Sequence, residues 1–117
     1  PITIHGSGIQ TRSFTWVGDV VNYFYLLAKN ELYGEIYNIG QTEEISISNL
    51  AKLVIQKCDS KSEIIFKDHL EIYGDKFEDP MRRTPSIDKI VNATSYEPSM
   101  SIPEMVEEII KYKKINP

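Results

Sequence analysis

The chain has 117 residues, 13 Lys+Arg against 17 Asp+Glu (net charge −4), and is 41% hydrophobic and 26% charged. That is the make-up of one soluble domain, able to bury about 65% of its unfolded surface without a covalent staple. A single Cys excludes an intramolecular disulfide and a Cys-rich zinc site, the apolar run Tyr23 to Ala28 is too short for a membrane span, and the acidic balance weighs against nucleic acid and anionic membranes as partners.

Ile2-Thr3-Ile4 alternates and stops at Gly6-Ser7-Gly8, which reads as a strand and a tight turn. Thr11 to Val17 is rich in Thr, aromatics and Val and is expected to be a strand, with Arg12, Phe14 and Trp16 on one face. Asp19 is the expected N-cap of the next helix, whose Val20, Val21, Phe24, Leu27 and Ala28 fall at helical spacing and form its core face. Glu35 to Ile39 reads as a short strand ended by Gly40.

Ser46 is the next expected cap, before a helix with Leu50, Ala51, Leu53, Val54 and Cys58 on its inner face. Cys58 is therefore expected in the core rather than as a nucleophile. Ile64-Ile65-Phe66 reads as a buried strand and Lys67 to Pro80 as a polar, acidic loop. Ser86 is expected to cap a short helix through Ala93, broken by Tyr96-Glu97-Pro98. Ser101 with Glu104 makes a capping box for a last helix with Ile102, Met105, Val106, Ile109 and Ile110 inward and Lys111, Lys113 and Lys114 at its C-terminal end. The expected fold class is α/β: a single small domain, 1–117, of short strands and about four helices.

Three polar features are candidates for chemistry: Gln10-Thr11-Arg12 leading to a helix start, Asn38 before Gly40, and Arg82-Arg83 after the acidic loop. Arginines suit a polyanion because the planar guanidinium matches phosphate oxygens in bidentate fashion; the plainer reading pairs them with Glu78 and Asp79. His5, His69 and Cys58 have no ligand spacing, so no metal is expected, and no nucleophile elbow supports a Ser/His/Asp triad. Gly6-Ser7-Gly8 lacks the third Gly of a dinucleotide fingerprint. Tyr25 and Lys29 have the bare Tyr-x-x-x-Lys spacing of short-chain dehydrogenases, but lie on a helix expected to face the core with no cofactor-binding unit upstream, so the spacing is read as coincidence.

The stretch from Pro1 through Gln10-Thr11-Arg12-Ser13-Phe14-Thr15-Trp16-Val17-Gly18-Asp19-Val20-Val21 resembles a signature of the extended short-chain dehydrogenase/reductase family, which includes NAD-dependent nucleotide-sugar epimerases, dehydratases and decarboxylases. Tyr37-Asn38-Ile39-Gly40, Ile45-Ser46-Ile47 with Leu50-Ala51, Asp79-Pro80-Met81-Arg82-Arg83-Thr84-Pro85 and Tyr96-Glu97-Pro98 resemble later pieces of the family, in the family's order. Departures are Trp16 where Tyr or His is commoner, Gly18 where a polar residue is frequent, Ser86 for Asp, and Tyr96 for Trp.

The resemblance implies the C-terminal, substrate-binding lobe of a longer parent without its Rossmann core. A chain opening on Pro1 and running straight into a strand agrees with that expectation. Carried over residue by residue, Arg12 and Arg83 are implied to contact the diphosphate of a nucleotide sugar, with Arg82 assisting and Gln10 and Asn38 as further substrate-binding residues; Asp19 is implied to be structural. NAD(P) and the catalytic Tyr and Lys belong to the absent N-terminal Rossmann domain, so no cofactor and no catalysis are expected of this chain alone. The implied partners are the nucleotide-diphosphate sugar and the Rossmann domain, in the cytoplasm. A part of a parent is expected to expose an apolar face that invites self-association; the competing expectation is a stand-alone, non-catalytic binding module with a polar surface.

Overall fold

The structure, a computed structural model, describes residues 1–68 and 79–116. The chain forms two compact units: Pro1–Arg12, Ile45–Arg83 and Val106–Pro117 make the first, Ser13–Glu44 and Thr84–Met105 the second. Among the described residues the fold is a small α/β arrangement with four helices, as the sequence leads one to expect.

In the first unit, β1 (Ile2–His5) pairs in parallel with β4 (Ile64–Lys67), from Ile2 opposite Ile64 to His5 opposite Lys67. The chain then turns through Gly6 and Gly8, both at positive φ. A Cβ on Gly8 would meet Ser48 Oγ at 2.2 Å and Ile4 Cγ2 at 3.1 Å, so the position requires glycine for space as well as conformation. The close approach has a purpose. Helix α2 (Ile47–Lys57) starts on this turn: Ser48 N–H donates to Gly8 O (2.9 Å), Ile47 N–H to Gln10 O (3.1 Å), and Asn49 N–H to the capping Ser46 Oγ (3.2 Å). Three of the four donors that a helix start leaves orphaned are thereby satisfied.

A second sheet has the order β3-β2-β5, with β2 (Thr11–Ser13), β3 (Glu44–Ser46) and β5 (Arg82–Arg83). β2 and β5 are parallel, Thr11 opposite Arg82 and Arg12 opposite Arg83, and Thr11 N–H donates to Met81 O (2.8 Å).

The second unit holds α1 (Val17–Lys29) and α3 (Asp88–Thr94) around Tyr23, Ile87 and Ile90, with Leu27, Tyr37, Ile39, Val91 and Tyr96 packed against them. Tyr23 and Tyr96 meet edge to face, centroids 5.1 Å apart. Helix α4 (Ile102–Ile115) begins in this unit and ends in the first; Ile102, Met105 and Val106 are buried, whereas Ile109 is exposed. At its start Glu104 reaches back to Ser101 N–H (2.8 Å) and Oγ–H (2.6 Å), the reciprocal arm of the expected box.

Several local expectations are corrected. The strand after Thr11 ends at Ser13 because α1 starts at Val17, capped by Trp16 rather than Asp19. Glu35 to Ile39 is not a strand: its Tyr37 and Ile39 side chains pack on the core, but among the described residues the backbone finds no strand partner. Cys58 is exposed: the spacing that groups it with Ala51 carries it one residue past the end of α2, to the C-cap. Strand β4 is not buried, as Ile65 and Phe66 are exposed. Ser86 is not the cap of α3; its hydroxyl donates to Asp88 (3.2 Å) while Ile87 takes the cap position. On α1 the buried residues are Asp19 and Tyr23, while Val21, Phe24 and Tyr25 are about 60% exposed. Tyr25 therefore does not face the core; its ring lies under the Lys29 ammonium instead. The expected loop from Lys67 to Pro80 falls largely outside the described residues, although Lys67 itself ends β4.

Candidate functional site

The parallel register of β2 and β5 decides which arginines act together. Paired residues on neighbouring strands share a face, so Arg12 and Arg83 are side by side and Arg82 alternates to the face of Thr11. Like charges placed directly opposite repel unless a counter-charge or a ligand intervenes.

Arg12 has a counter-charge. Its Nη1 donates to Thr11 O (2.6 Å) and Pro80 O (2.8 Å), and its Nη2 pairs with the Asp79 carboxylate. Both side chains of the pair are about four-fifths covered. Arg83 is exposed, and among the described residues its side chain makes no hydrogen bond or ion pair. Two guanidinium groups thus share one face, and among the described residues only that of Arg12 has a carboxylate partner.

Gln10 is buried, at 6% exposure, and its Nε2 donates to His5 O (3.2 Å), binding β2 back to the end of β1. Its side chain also lines a cavity of about 130 Å³ with Ser7, Asp79 and Met81. Gln10 and the carboxylate partner of Arg12 therefore face the same small space. Asn38 belongs to the second unit, where its Nδ2 donates to Ser86 O (3.2 Å) and ties the Tyr37–Gly40 segment to the start of α3. A larger depression of about 540 Å³ in that unit carries Asp88 and Glu97 and no cationic side chain, so it has the wrong sign for a phosphate.

Sequence reasoning understated Asp19. It is 1% exposed and accepts from Tyr96 O–H (2.6 Å), Ser99 Oγ–H (2.5 Å) and Ser99 N–H (3.1 Å). Beside it, Tyr23 O–H donates to Tyr96 O (3.0 Å); burial pushes the Tyr23 phenol above its ordinary pKa, with further upward pressure from Tyr96, Asp19 and Glu97. A signal was available: Asp19 and Tyr23 are one helical turn apart, on a stripe that the apolar periodicity leaves out. Trp16 and Gly18, two departures from the family pattern, prove to be coupled, since a Cβ on Gly18 would lie 2.6 Å from the Trp16 indole nitrogen. Among the described residues no cluster of His, Cys, Asp and Glu could hold a metal ion, and no helix is long and apolar enough to cross a membrane.

No protein-family model matches the chain. Individual relatives do. It is 31% identical over 111 residues to a UDP-N-acetyl-alpha-D-glucosaminuronate decarboxylase of Bacillus cytotoxicus, covering 95% of this chain and 35% of that enzyme. It is 34% identical over 114 residues to the dTDP-D-glucose 4,6-dehydratase of Homo sapiens, covering 97% of this chain and 32% of the enzyme. Among solved structures, the UDP-glucuronic acid 4-epimerase of Bacillus cereus in complex with UDP-glucuronic acid and NAD superposes with a TM-score of 0.83 at 26% identity, over 100% of this chain and 36% of that one.

Sequence relatives and structural neighbours converge on one class, the nucleotide-sugar epimerases, dehydratases and decarboxylases. The chain is similar to these enzymes of the extended short-chain dehydrogenase/reductase family and spans about a third of the length of the relatives it matches.

Proposed function

We propose that this chain is the C-terminal, substrate-binding lobe of an NAD-dependent nucleotide-sugar epimerase, dehydratase or decarboxylase, and that it holds the diphosphate of the nucleotide sugar. The observation that carries the reading is the in-register Arg12–Arg83 pair, in which Arg12 is paired with Asp79 and Arg83 is exposed without an ion pair among the described residues. A diphosphate supplies the missing negative charge, and two guanidinium forks match its oxygens. Each such charge-assisted contact contributes about 1.5–3 kcal/mol. Gripping the diphosphate, remote from the reacting carbons, holds the sugar in place for chemistry done elsewhere in the enzyme.

The residues present do not fit a dinucleotide site. The Gly6–Gly8 turn joins β1 to β2, whereas a pyrophosphate-binding turn opens a helix whose N–H groups face the phosphates. The Gly8 and Gln10 carbonyls serve the start of α2 instead. On this reading NAD and the proton-transferring Tyr and Lys belong to an N-terminal domain of the same polypeptide. Exposed apolar residues support a covering partner of that kind: Val17, Val21 and Phe24 on α1, and Ile65 and Phe66 on a two-stranded parallel sheet, a type normally covered on both faces.

The test isolates the endogenous polypeptide with an antibody against this chain, then measures its mass and its NAD-dependent turnover of UDP- and dTDP-sugars. The reading expects a mass above 13.4 kDa by a domain of about 150 residues or more, and turnover that Arg83→Ala depresses. A polypeptide of 13.4 kDa with no turnover would assign the chain to a stand-alone binding module instead.

A further inference from the structure

A guanidinium offers an anion two bidentate edges, end-on through Nη1 and Nη2 and side-on through Nε and Nη2. At Arg12 the end-on edge is closed. Both Nη1 hydrogens go to carbonyls, Thr11 O (2.6 Å) and Pro80 O (2.8 Å), and Nη2 pairs with the Asp79 carboxylate. Among the described residues the Nε hydrogen and one Nη2 hydrogen have no acceptor, so the side-on edge is the one left for a ligand. The same three contacts hold the group still. The two carbonyls are set by the β2–β5 register and by Thr11 N–H on Met81 O. Asp79 closes the third side and is itself held by a further interaction besides Arg12. Arg83, the neighbour of Arg12 in the register, is the opposite case: it is exposed, and its side chain has no hydrogen bond or ion pair among the described residues.

We propose that Asp79 is a positioning residue: it locks the Arg12 guanidinium with its side-on edge open, so that the pair grips a diphosphate with one fixed arm, Arg12, and one mobile arm, Arg83. The proposal rests on the diphosphate reading of the arginine pair and adds how the two arginines divide the work. The rotamer freedom that a long side chain loses on binding is already gone at Arg12 before the ligand arrives, and is lost on binding only at Arg83. A fixed fork also holds its phosphate in one orientation, which is what a grip remote from the reacting carbons has to provide. The carboxylate sets the lock, because a charge-assisted hydrogen bond is about twice as strong as one to a neutral carbonyl. Its negative charge alone works against an anion. The proposal therefore has a sign: a carboxylate that acts only by its charge weakens the site, whereas a positioning carboxylate strengthens it.

The experiment compares the 117-residue chain with Asp79→Ala, Arg12→Ala and the double variant, by two readouts. The first is NMR of the arginine side chains, in which hindered rotation about the Nε–Cζ bond keeps the Nη1 and Nη2 signals apart. Separate signals are expected for Arg12 and one averaged signal for Arg83; in Asp79→Ala the Arg12 signals are expected to average as well. The second is titration with inorganic diphosphate, followed by backbone amide signals. Asp79→Ala is expected to bind about fivefold more weakly, the fold-change of leaving one long side chain for the ligand to order. In the Arg12→Ala background the same change is expected not to weaken binding, because only the lost negative charge is then felt. Asp79→Asn keeps the shape and gives the same sign should Asp79→Ala disturb the fold. Equal or tighter diphosphate binding by a folded Asp79 variant would overturn the proposal and leave the diphosphate reading in place. Weakening that persists without Arg12 would overturn it too, as would Arg12 signals that are averaged in the wild type or stay separate in Asp79→Ala. No diphosphate binding by the wild type would overturn the diphosphate reading itself, and this inference with it.

Discussion

Around Asp19, one buried carboxylate has three donors aimed at it from Tyr96 and Ser99. Along β2 and β5, two guanidinium groups share one face, and among the described residues only Arg12 has a carboxylate partner, Asp79. In the first place the donors match the charge and water has been excluded; in the second, a charge is left over and is exposed. A satisfied charge holds a fold together and has nothing to offer a ligand. An unsatisfied one at the surface costs little while water solvates it and gives a ligand its grip. The comparison separates residues that shape the chain from residues that give it a use, and it can be tested from both sides.

The largest effect belongs to the buried side. Asp19→Ala removes the acceptor for three donors and strands the Tyr96 hydroxyl and the Ser99 N–H and hydroxyl. Stranded donors of this kind cost about 1–3 kcal/mol each before relaxation, so a loss of about 3–4 kcal/mol is expected. That is a large share of the roughly 6–18 kcal/mol normal for this length. Urea midpoints measure it, and a loss below about 1 kcal/mol would mean that water satisfies the pocket after all.

Gly8→Ala comes next. The added methyl meets Ser48 Oγ and Ile4 Cγ2 at a residue with φ of 72°. The serine hydroxyl can rotate away, but Ile4 is buried in β1 and the conformation disfavours any L side chain. A cost of about 2 kcal/mol follows, read as a lower thermal midpoint. An unchanged midpoint would show that the turn between β1 and β2 is free to reorganise.

On the open side the signature reverses. Arg83→Ala is expected to move stability by no more than about 0.5 kcal/mol, as for a surface substitution, while weakening diphosphate binding by about 1.5–3 kcal/mol. A variant that unfolds instead would place Arg83 with the satisfied residues and end the contrast.

The same contrast explains what could be read from the sequence. The start of α2 was legible because Ser46 is a local signal, satisfied three residues away. The pairing of Arg12 with Arg83 was half legible: the family pattern singles out both residues, but only the strand register puts them on one face and sends Arg82 to the other. The plainer reading, arginines paired with Glu78 and Asp79, holds for Arg12 and Asp79; Glu78 lies outside the described residues. The face of α1 was misread for a physical reason. Apolar residues run almost all round the helix, from Val17, Val20 and Val21 to Tyr23, Phe24 and Leu27, so periodicity could not choose a side. The choice is made by Tyr23, whose ring packs on Ile87 and Ile90, and by Asp19 one turn earlier; the contacts that select them lie far along the chain, beyond Thr84. Cys58 failed similarly, as a residue that helical spacing groups with Ala51 but that falls past the last turn of α2.

The smallest prediction probes the buried side through pH. The Tyr23 phenol is held protonated by burial first, and then by Tyr96, Asp19 and Glu97. A phenol whose pKa is higher in the folded than in the unfolded chain binds its proton more tightly when folded. Its stabilising contribution is therefore fully present below the unfolded value of 10.0 and is lost as pH rises above it and through the folded value. Tyr23→Phe deletes both this dependence and the hydrogen bond to Tyr96 O, at a cost near neutrality of about 1 kcal/mol. Urea midpoints of the two proteins are then expected to converge as pH rises above 10.0, because the wild type loses in alkali what the variant never had. Midpoints that stay parallel above pH 10.0 would mean that the phenol ionises as easily folded as unfolded. The polar cluster around Asp19 would then be open to water, and the line drawn between the closed and the open charge centres would have to be redrawn.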